Sequence, residues 1–390
     1  TVDGVTYPQG ALLATGFDAF VAGNRAFEVL FAPTPMTSLD GVAATRSSLL
    51  LTVLDNVKNR VVELRHENGA WARREVDVPG IGSLGVSALD SDHSDDYFLT
   101  VTDFLHPTTL YLMHAGSDER QPLKAMPAFF EAWPYEVSQH AAASGDGTLV
   151  PYFVVARKAK DGAAGASGPT LLYGYGGFEV SLKPFYSGMT GAAWLEQGGT
   201  YVLANIRGGG EFGPRWHQAA LRQHRQRAFD DFIAVGQDLV ARGVTTPRQL
   251  GIMGGSNGGL LVGAALTQRP DLFGAVVCQV PLLDMRRYHL LLAGASWMGE
   301  YGDPDDADDW AYLARYSPYH NVRPGERYPR VLFTTSTRDD RVHPAHARKM
   351  AARMLDQGHD VLYWENTEGG HAGAADNAQT ARMVALTYTF

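Results

Sequence analysis

The chain has 390 residues, 45% of them hydrophobic and 19% charged, which is ordinary for a globular protein and enough for two domains with sizeable cores. A net charge of -9 without a long basic run argues against nucleic acid or an anionic membrane as a partner, and no apolar run approaches the length of a spanning helix. The single cysteine, Cys278, lies in the apolar run Ala275-Val276-Val277-Cys278, so it reads as a packing residue and excludes an intrachain disulfide. The chain starts at Thr1 without Met or an apolar leader, which says little about a signal peptide; the compartment is unknown, with the cytoplasm favoured over the periplasm.

Residues 1–134 read as short strands, among them Phe27–Phe31, Ser48–Leu54, Arg60–Leu64, Tyr97–Val101 and Thr109–Met113, separated by turn signals such as Asn68-Gly69 and Ala115-Gly116-Ser117-Asp118. Their spacing suits four-stranded propeller blades of roughly 40–45 residues, so this stretch holds about three. Propellers close with about four to eight blades, and an open arc leaves unpaired edges. The expectation is therefore a partial β-propeller, with the chain forming the C-terminal portion of a longer protein.

The texture changes near Glu136. Gly145-Asp146-Gly147 is a hairpin turn before the strand Leu149–Ala156, and Asp161 to Gly168 reads as a surface loop of small residues. From there strands and helices alternate. The strands are Thr170–Tyr173, Tyr201–Asn205, Leu250–Met253, Gly274–Gln279, Val331–Thr335 and Val361–Trp364. Helical stretches include Asp230–Arg242, Ala345–Gln357 and a last one from about Ala374. This pattern predicts an α/β fold over residues 135–390, a doubly wound, mostly parallel sheet with reactive groups at the carboxyl ends of its strands.

Leu250 to Leu261 contains Gly254-Gly255-Ser256-Asn257-Gly258, a G-x-S-x-G between an apolar strand and a helix-like run, as in the nucleophile elbow of α/β-hydrolases. The helix start behind Ser256 supplies free N–H groups and a positive dipole end where an oxyanion develops. A serine nucleophile needs a base and an orienting acid, which follow in the order Ser, Asp/Glu, His in this sheet type. His371, set between small residues after the strand Val361–Trp364, is the base candidate. Asp339 and Asp340, after the strand Val331–Thr335, compete for the acid, with Asp339 favoured. The Asn257 N–H is one oxyanion donor, and the loop Tyr173-Gly174-Tyr175-Gly176-Gly177-Phe178 is expected to bring a second, with the Tyr175 phenol its only evident special group.

Two further motifs lead elsewhere. Gly208-Gly209-Gly210-Glu211-Phe212-Gly213 matches G-x-G-x-x-G with Asp230 about twenty residues on, yet its strand is internal and Pro214 interrupts the turn, so no dinucleotide is expected. His343-Pro344-Ala345-His346 reads as a surface loop, and no metal or other cofactor is called for.

At these residues the chain resembles the prolyl oligopeptidase family of serine peptidases. The resemblance is densest in Tyr173–Phe178, Asn205–Glu211, Gly254–Gly259, Leu283–His289 and Asp339–Val342. It implies an α/β-hydrolase domain with a β-propeller that admits short peptides only, and Ser256, Asp339 and His371 as a triad. It further implies the Tyr175 hydroxyl beside the Asn257 N–H in the oxyanion hole and the Trp297 ring under a substrate proline. Phe178 and Tyr301 would shape that pocket, and Arg341 would donate to a substrate carbonyl. The expected partners are short proline-containing peptides, not nucleic acid or membrane. Two alternatives remain open: an acylaminoacyl- or dipeptidyl-type peptidase or esterase with the same mechanism, and a non-catalytic propeller scaffold.

Overall fold

The computed structural model describes residues 1–78, 82–158 and 168–390; the expected loop at 161–167 lies outside the described residues. The chain divides into two compact units, one of residues 1–128, 183–187 and 210–216, the other of 129–182, 188–209 and 217–390.

The first unit is built from antiparallel sheets. β1 (Leu12–Ala14) pairs with β2 (Glu28–Phe31). Two four-stranded meanders follow, β3 (Thr37–Ala44), β4 (Leu49–Asp55), β5 (Lys58–Glu67) and β6 (Ala70–Val76), then β7 (Ser83–Ala88), β8 (Asp96–Thr102), β9 (Thr109–His114) and β10 (Gln121–Ala125). Each meander has a propeller blade's order. The described residues thus form two four-stranded sheets and a two-stranded pair where about three full blades were expected. Before Thr37, Pro8, Gly10, Gly16, Pro33 and Pro35 break the chain into pieces too short for a further meander. Leu50, Val61, Val76, Leu84, Tyr97, Leu99 and Met113 form one core cluster of this unit.

The second unit is a mixed eight-stranded sheet. Its strands are β11 (Tyr135–Ala143), β12 (Leu149–Arg157), β13 (Thr170–Tyr173), β14 (Thr200–Ala204), β15 (Leu250–Gly255), β16 (Ala275–Gln279), β17 (Arg330–Ser336) and β18 (Val361–Asn366), in the order β11-β12-β14-β13-β15-β16-β17-β18. The β11–β12 and β12–β14 pairs are antiparallel and the rest parallel. This is the α/β-hydrolase arrangement, with the chain switching direction of winding around β13 and β15.

The parallel strands read as continuous apolar runs because both faces are covered. Helix Gln226–Ala241 buries Ala228, Phe229, Phe232, Ile233, Val235, Gly236 and Leu239, an i, i+3/i+4, i+7 stripe. Helix Asn257–Gln268 is buried at every position from Asn257 to Leu266, which is why its sequence is apolar all round. Helices Ala345–Asp356 and Asn377–Thr389 complete the layers. Among the described residues, no helix is long and apolar enough to cross a membrane.

Buried charges tie the loops to this frame. The guanidinium of Arg207, just past β14, grips Asp231 in two parallel bonds, Nε to Oδ2 at 2.9 Å and Nη2 to Oδ1 at 2.6 Å, and its Nη1 reaches Asp146 of the β11–β12 turn at 2.5 Å. The Arg207 and Asp231 side chains are 5% and 0% exposed, so removing one strands the other in the interior. Asp231→Ala should cost about 3–5 kcal/mol of stability in urea unfolding. Asp360→Ala, which breaks the solvent-exposed pair with Arg330, should cost under about 1 kcal/mol.

Candidate active site

The carboxyl ends of β15, β16, β17 and β18 lie along one edge of the sheet because the four strands run parallel. β15 ends in a sharp turn. Ser256 sits at φ 59°, ψ -116°, and helix Asn257–Gln268 starts on the next residue. A non-glycine residue in that region is strained and needs surroundings that hold it there. Its N–H donates to the Gln279 carbonyl at 2.9 Å, extending the ladder to β16 by one rung, and its carbonyl accepts from Gly259 and Leu260. The strand and the helix approach so closely that a Cβ at Gly254 would lie 2.2 Å from the Gly258 carbonyl oxygen. Glycine at 254 is therefore a steric requirement of the elbow.

The loop after β17 carries Asp339, which is 3% exposed, whereas Asp340 is exposed. Asp339 Oδ1 accepts from the Arg341 and Val342 N–H groups at 3.0 and 2.9 Å, and His371 Nδ1 lies 3.0 Å from Oδ1 and 2.8 Å from Oδ2. The His371 loop after β18 is held at Gly373, whose carbonyl accepts from Ser336 Oγ at 3.2 Å and Asn366 Nδ2 at 2.9 Å. The imidazole thus has one nitrogen fixed on a buried carboxylate and is only partly exposed.

The Tyr175 phenol lies near the Ser256 side chain. Burial pushes that phenol above its ordinary value, against the opposing pull of the Arg225 and Arg341 charges, so it stays a neutral donor. Asn257 is the first helical residue, so its N–H has no acceptor within the helix. A serine hydroxyl, two donors near it and an Asp–His pair on neighbouring strand ends form a set able to carry out acyl transfer.

The other expected residues fall around this edge. Trp297 ends a 3-10 turn, Leu292–Trp297, and is half-buried; Ala293 of that turn donates to the Arg341 carbonyl at 3.3 Å. The Arg341 side chain is exposed. The Phe178 ring is half-buried and meets Tyr301 edge-on, 5.7 Å between centroids at 86°. Tyr301 is fully buried, its hydroxyl donating to Asn257 Oδ1 at 2.7 Å.

The sequence reading did not single out Arg225, Glu300 and His217, all of which lie beneath the Tyr175–Phe178 loop. Arg225 Nη1 donates to Glu300 Oε1 at 2.8 Å, and Glu300 Oε2 is hydrogen-bonded to His217 Nε2 at 2.7 Å. Glu300 does stand in the run Ala293–Tyr301, where a charge amid small and apolar residues is the available signal. Burial raises the Glu300 carboxyl, but the bond from His217, the Arg225 charge and the Phe178 N–H outweigh it and hold it below its ordinary value.

The His343–His346 motif requires correction: it is not a surface loop. Pro344 opens helix Ala345–Asp356, and His346 points into the core, 1% exposed, its Nδ1 accepting from the Leu283 and Asp284 N–H groups at 3.3 and 3.1 Å. A helix turns the third residue after His343 inward, which a loop reading of the sequence does not anticipate. Elsewhere, His289, Asp303 and Asp305 cluster closely, but His289 Nε2 already bonds Asp305 at 3.0 Å and Arg286 bonds the other Asp305 oxygen at 3.0 Å.

The fold and the edge of its sheet define an α/β-hydrolase. Residues 186–390 match the model of the prolyl oligopeptidase family, and residues 8–126 match that of the prolyl oligopeptidase N-terminal β-propeller domain. The chain belongs to the prolyl oligopeptidase family. It is 48% identical over 389 residues to an uncharacterized peptidase of Sinorhizobium fredii, covering 99% of this chain and 53% of that one. It is 38% identical over 323 residues to a prolyl endopeptidase of Elizabethkingia miricola, covering 81% and 45%. The solved structure of a post-proline cleaving enzyme from Rickettsia typhi superposes with a TM-score of 0.89 at 36% identity, covering 99% of this chain and 56% of that one. The chain spans about half the length of the curated relatives it matches.

Burial pushes the His346 imidazole down to about 4 from 6.5, so the folded protein binds its proton less readily than the unfolded chain. Stability from the neutral ring is full above 6.5 and is lost as pH falls toward about 4. Replacing it with an acceptor that does not titrate, His346→Asn, should flatten this part of the curve of unfolding free energy against pH.

Proposed function

We propose that this chain carries the catalytic site of a serine-type oligopeptidase that cleaves short peptides on the carboxyl side of proline through an acyl-enzyme. The observation that carries the reading is the strained Ser256 at a helix N-terminus, on the same edge of the parallel sheet as an Asp339–His371 pair. Residues 1–134 form the propeller portion of this enzyme and residues 135–390 the hydrolase portion.

In this reading the Ser256 hydroxyl attacks the carbonyl carbon as its proton passes to His371, while Asp339 orients the imidazole and stabilises the imidazolium. The oxyanion meets the Asn257 N–H and the Tyr175 hydroxyl. The intermediate collapses, the C–N bond breaks, and the imidazolium gives its proton to the leaving amine. Water, deprotonated by His371, then attacks the ester and frees Ser256. Trp297 supplies a ring face for the flat proline side chain, Phe178 bounds the pocket with the buried Tyr301 ring packed edge-on against it, and Arg341 donates to a substrate carbonyl. The names of the relatives from Elizabethkingia miricola and Rickettsia typhi support the preference for proline.

Asp339→Asn should lower kcat on an N-blocked proline amide by about 10⁴, because the imidazole loses its orienting acceptor. Asp340→Asn, on the exposed neighbour, should leave most activity; the reverse ranking would exchange the two roles. Ring stacking beyond burial is worth about 0.5–1.5 kcal/mol, about three- to tenfold in rate, and lost contact area adds to it. Trp297→Ala should thus reduce kcat/KM for proline substrates by at least about tenfold and for alanine substrates far less. Equal losses on both would make the ring structural and place the enzyme with the broader peptidases and esterases.

A further inference from the structure

Asn257 has two ends with different work. Its N–H heads the helix beside Ser256, while its side chain is fully buried and makes three hydrogen bonds. Oδ1 accepts from Arg225 Nη2 and from the Tyr301 hydroxyl, and Nδ2 donates to the Tyr175 carbonyl at 2.6 Å. One amide thus joins the residue after the nucleophile to the backbone of the loop that carries Tyr175.

Arg225 holds that amide from below. It is 1% exposed, and its fork spans two acceptors, Asn257 Oδ1 through Nη2 and Glu300 Oε1 through Nη1. The same Glu300 oxygen accepts the Phe178 N–H at 2.9 Å. Phe178 and Glu179 both have φ 56°, two consecutive non-glycine residues in the left-handed region, so this turn is strained and needs an external clamp. At Gly177 a Cβ would lie 2.6 Å from Asn257 Nδ2 and 2.9 Å from Arg225 Nη2, which shows how closely the loop rests on the fork. His217 at 2.7 Å and the Arg225 cation together secure the Glu300 carboxylate, and Glu179 lies 3.6 Å from the other nitrogen of His217.

A buried charge cluster is weak evidence for stability. Replacing a buried ion pair by uncharged groups of similar volume is often neutral or stabilising. The planar fork instead fixes two acceptors at a set separation, which a lysine cannot do. We infer that Arg225, clamped by Glu300 and His217, is a positioning residue that sets the Asn257 N–H and the loop carrying Tyr175 as the oxyanion hole. This inference rests on the reading of Ser256 as nucleophile.

The test uses kcat, KM and urea unfolding of the protein on an N-blocked proline amide, with two variants. Arg225→Lys keeps a cation for Glu300 but loses the second arm of the fork. The double change Arg225→Met with Glu300→Gln leaves no charge stranded. A misplacement of about 1 Å costs on the order of 10²-fold in rate, and loss of one oxyanion donor about 10²–10³-fold. Both variants should therefore lose about tenfold or more in kcat per folded molecule, with KM within about threefold of wild type. A kcat per folded molecule within about twofold of wild type, or a loss that only follows the unfolded fraction or appears in KM alone, would overturn the inference. Turnover that survives Ser256→Ala would instead sink the functional reading on which it rests.

Discussion

The backbone of Ser256 is the constraint from which the rest of the second unit follows. A residue at φ 59° is stable only if the chain on each side is held, and here both sides are. β15 is locked between β13 and β16, and the helix that follows is buried along ten consecutive residues. Glycine at 254 is the steric condition for bringing strand and helix together. The parallel register then brings the ends of β17 and β18, with the loops of Asp339 and His371, to the same edge. Sheet order thus does the work of assembling residues 115 positions apart, from Ser256 to His371.

Buried charge is the second organising device. Arg207 with Asp231 and Asp146 fixes the loop after β14, and Arg225 with Glu300 and His217 supports the loop after β13. Asp284, 1% exposed, gathers Lys349, Arg287 and the Arg286 N–H after β16. Each sits at the edge where loops leave the sheet, and there apolar packing alone would not dictate loop conformation. Directional bonds from a planar guanidinium do dictate it. In a low-dielectric interior a buried polar group left without its partner is costly, so the loops these groups anchor have one arrangement rather than several.

Much of this was legible in the sequence because its causes are local. The elbow is a strand, a glycine turn and a helix within twelve residues, and the strands of the second unit are apolar runs bounded by turn signals, so both stood out. The Tyr175 loop and the Asp339 and His371 loops follow strands in the order that the sheet requires. What escaped has causes distant in sequence. Arg225, Glu300 and Asn257 are separated by 32 to 75 positions, and nothing near any one of them announces its partners. His346 departs from the sequence reading because a proline between two histidines suggests a loop, whereas a helix begins at Ala345 and carries it inward. The β1–β2 pair differs from a full blade because prolines and glycines interrupt the chain before Thr37.

The central claim is that the strained elbow makes Ser256, alone among the serines of the chain, a nucleophile. The direct measurement is mass spectrometry of the protein after reaction with a fluorophosphonate. The account predicts one adduct per chain, mapped to Ser256 within the segment 250–261 and absent when Asp339 is replaced by Asn under the same brief exposure. An adduct on another serine, or no adduct on the folded protein, would contradict it.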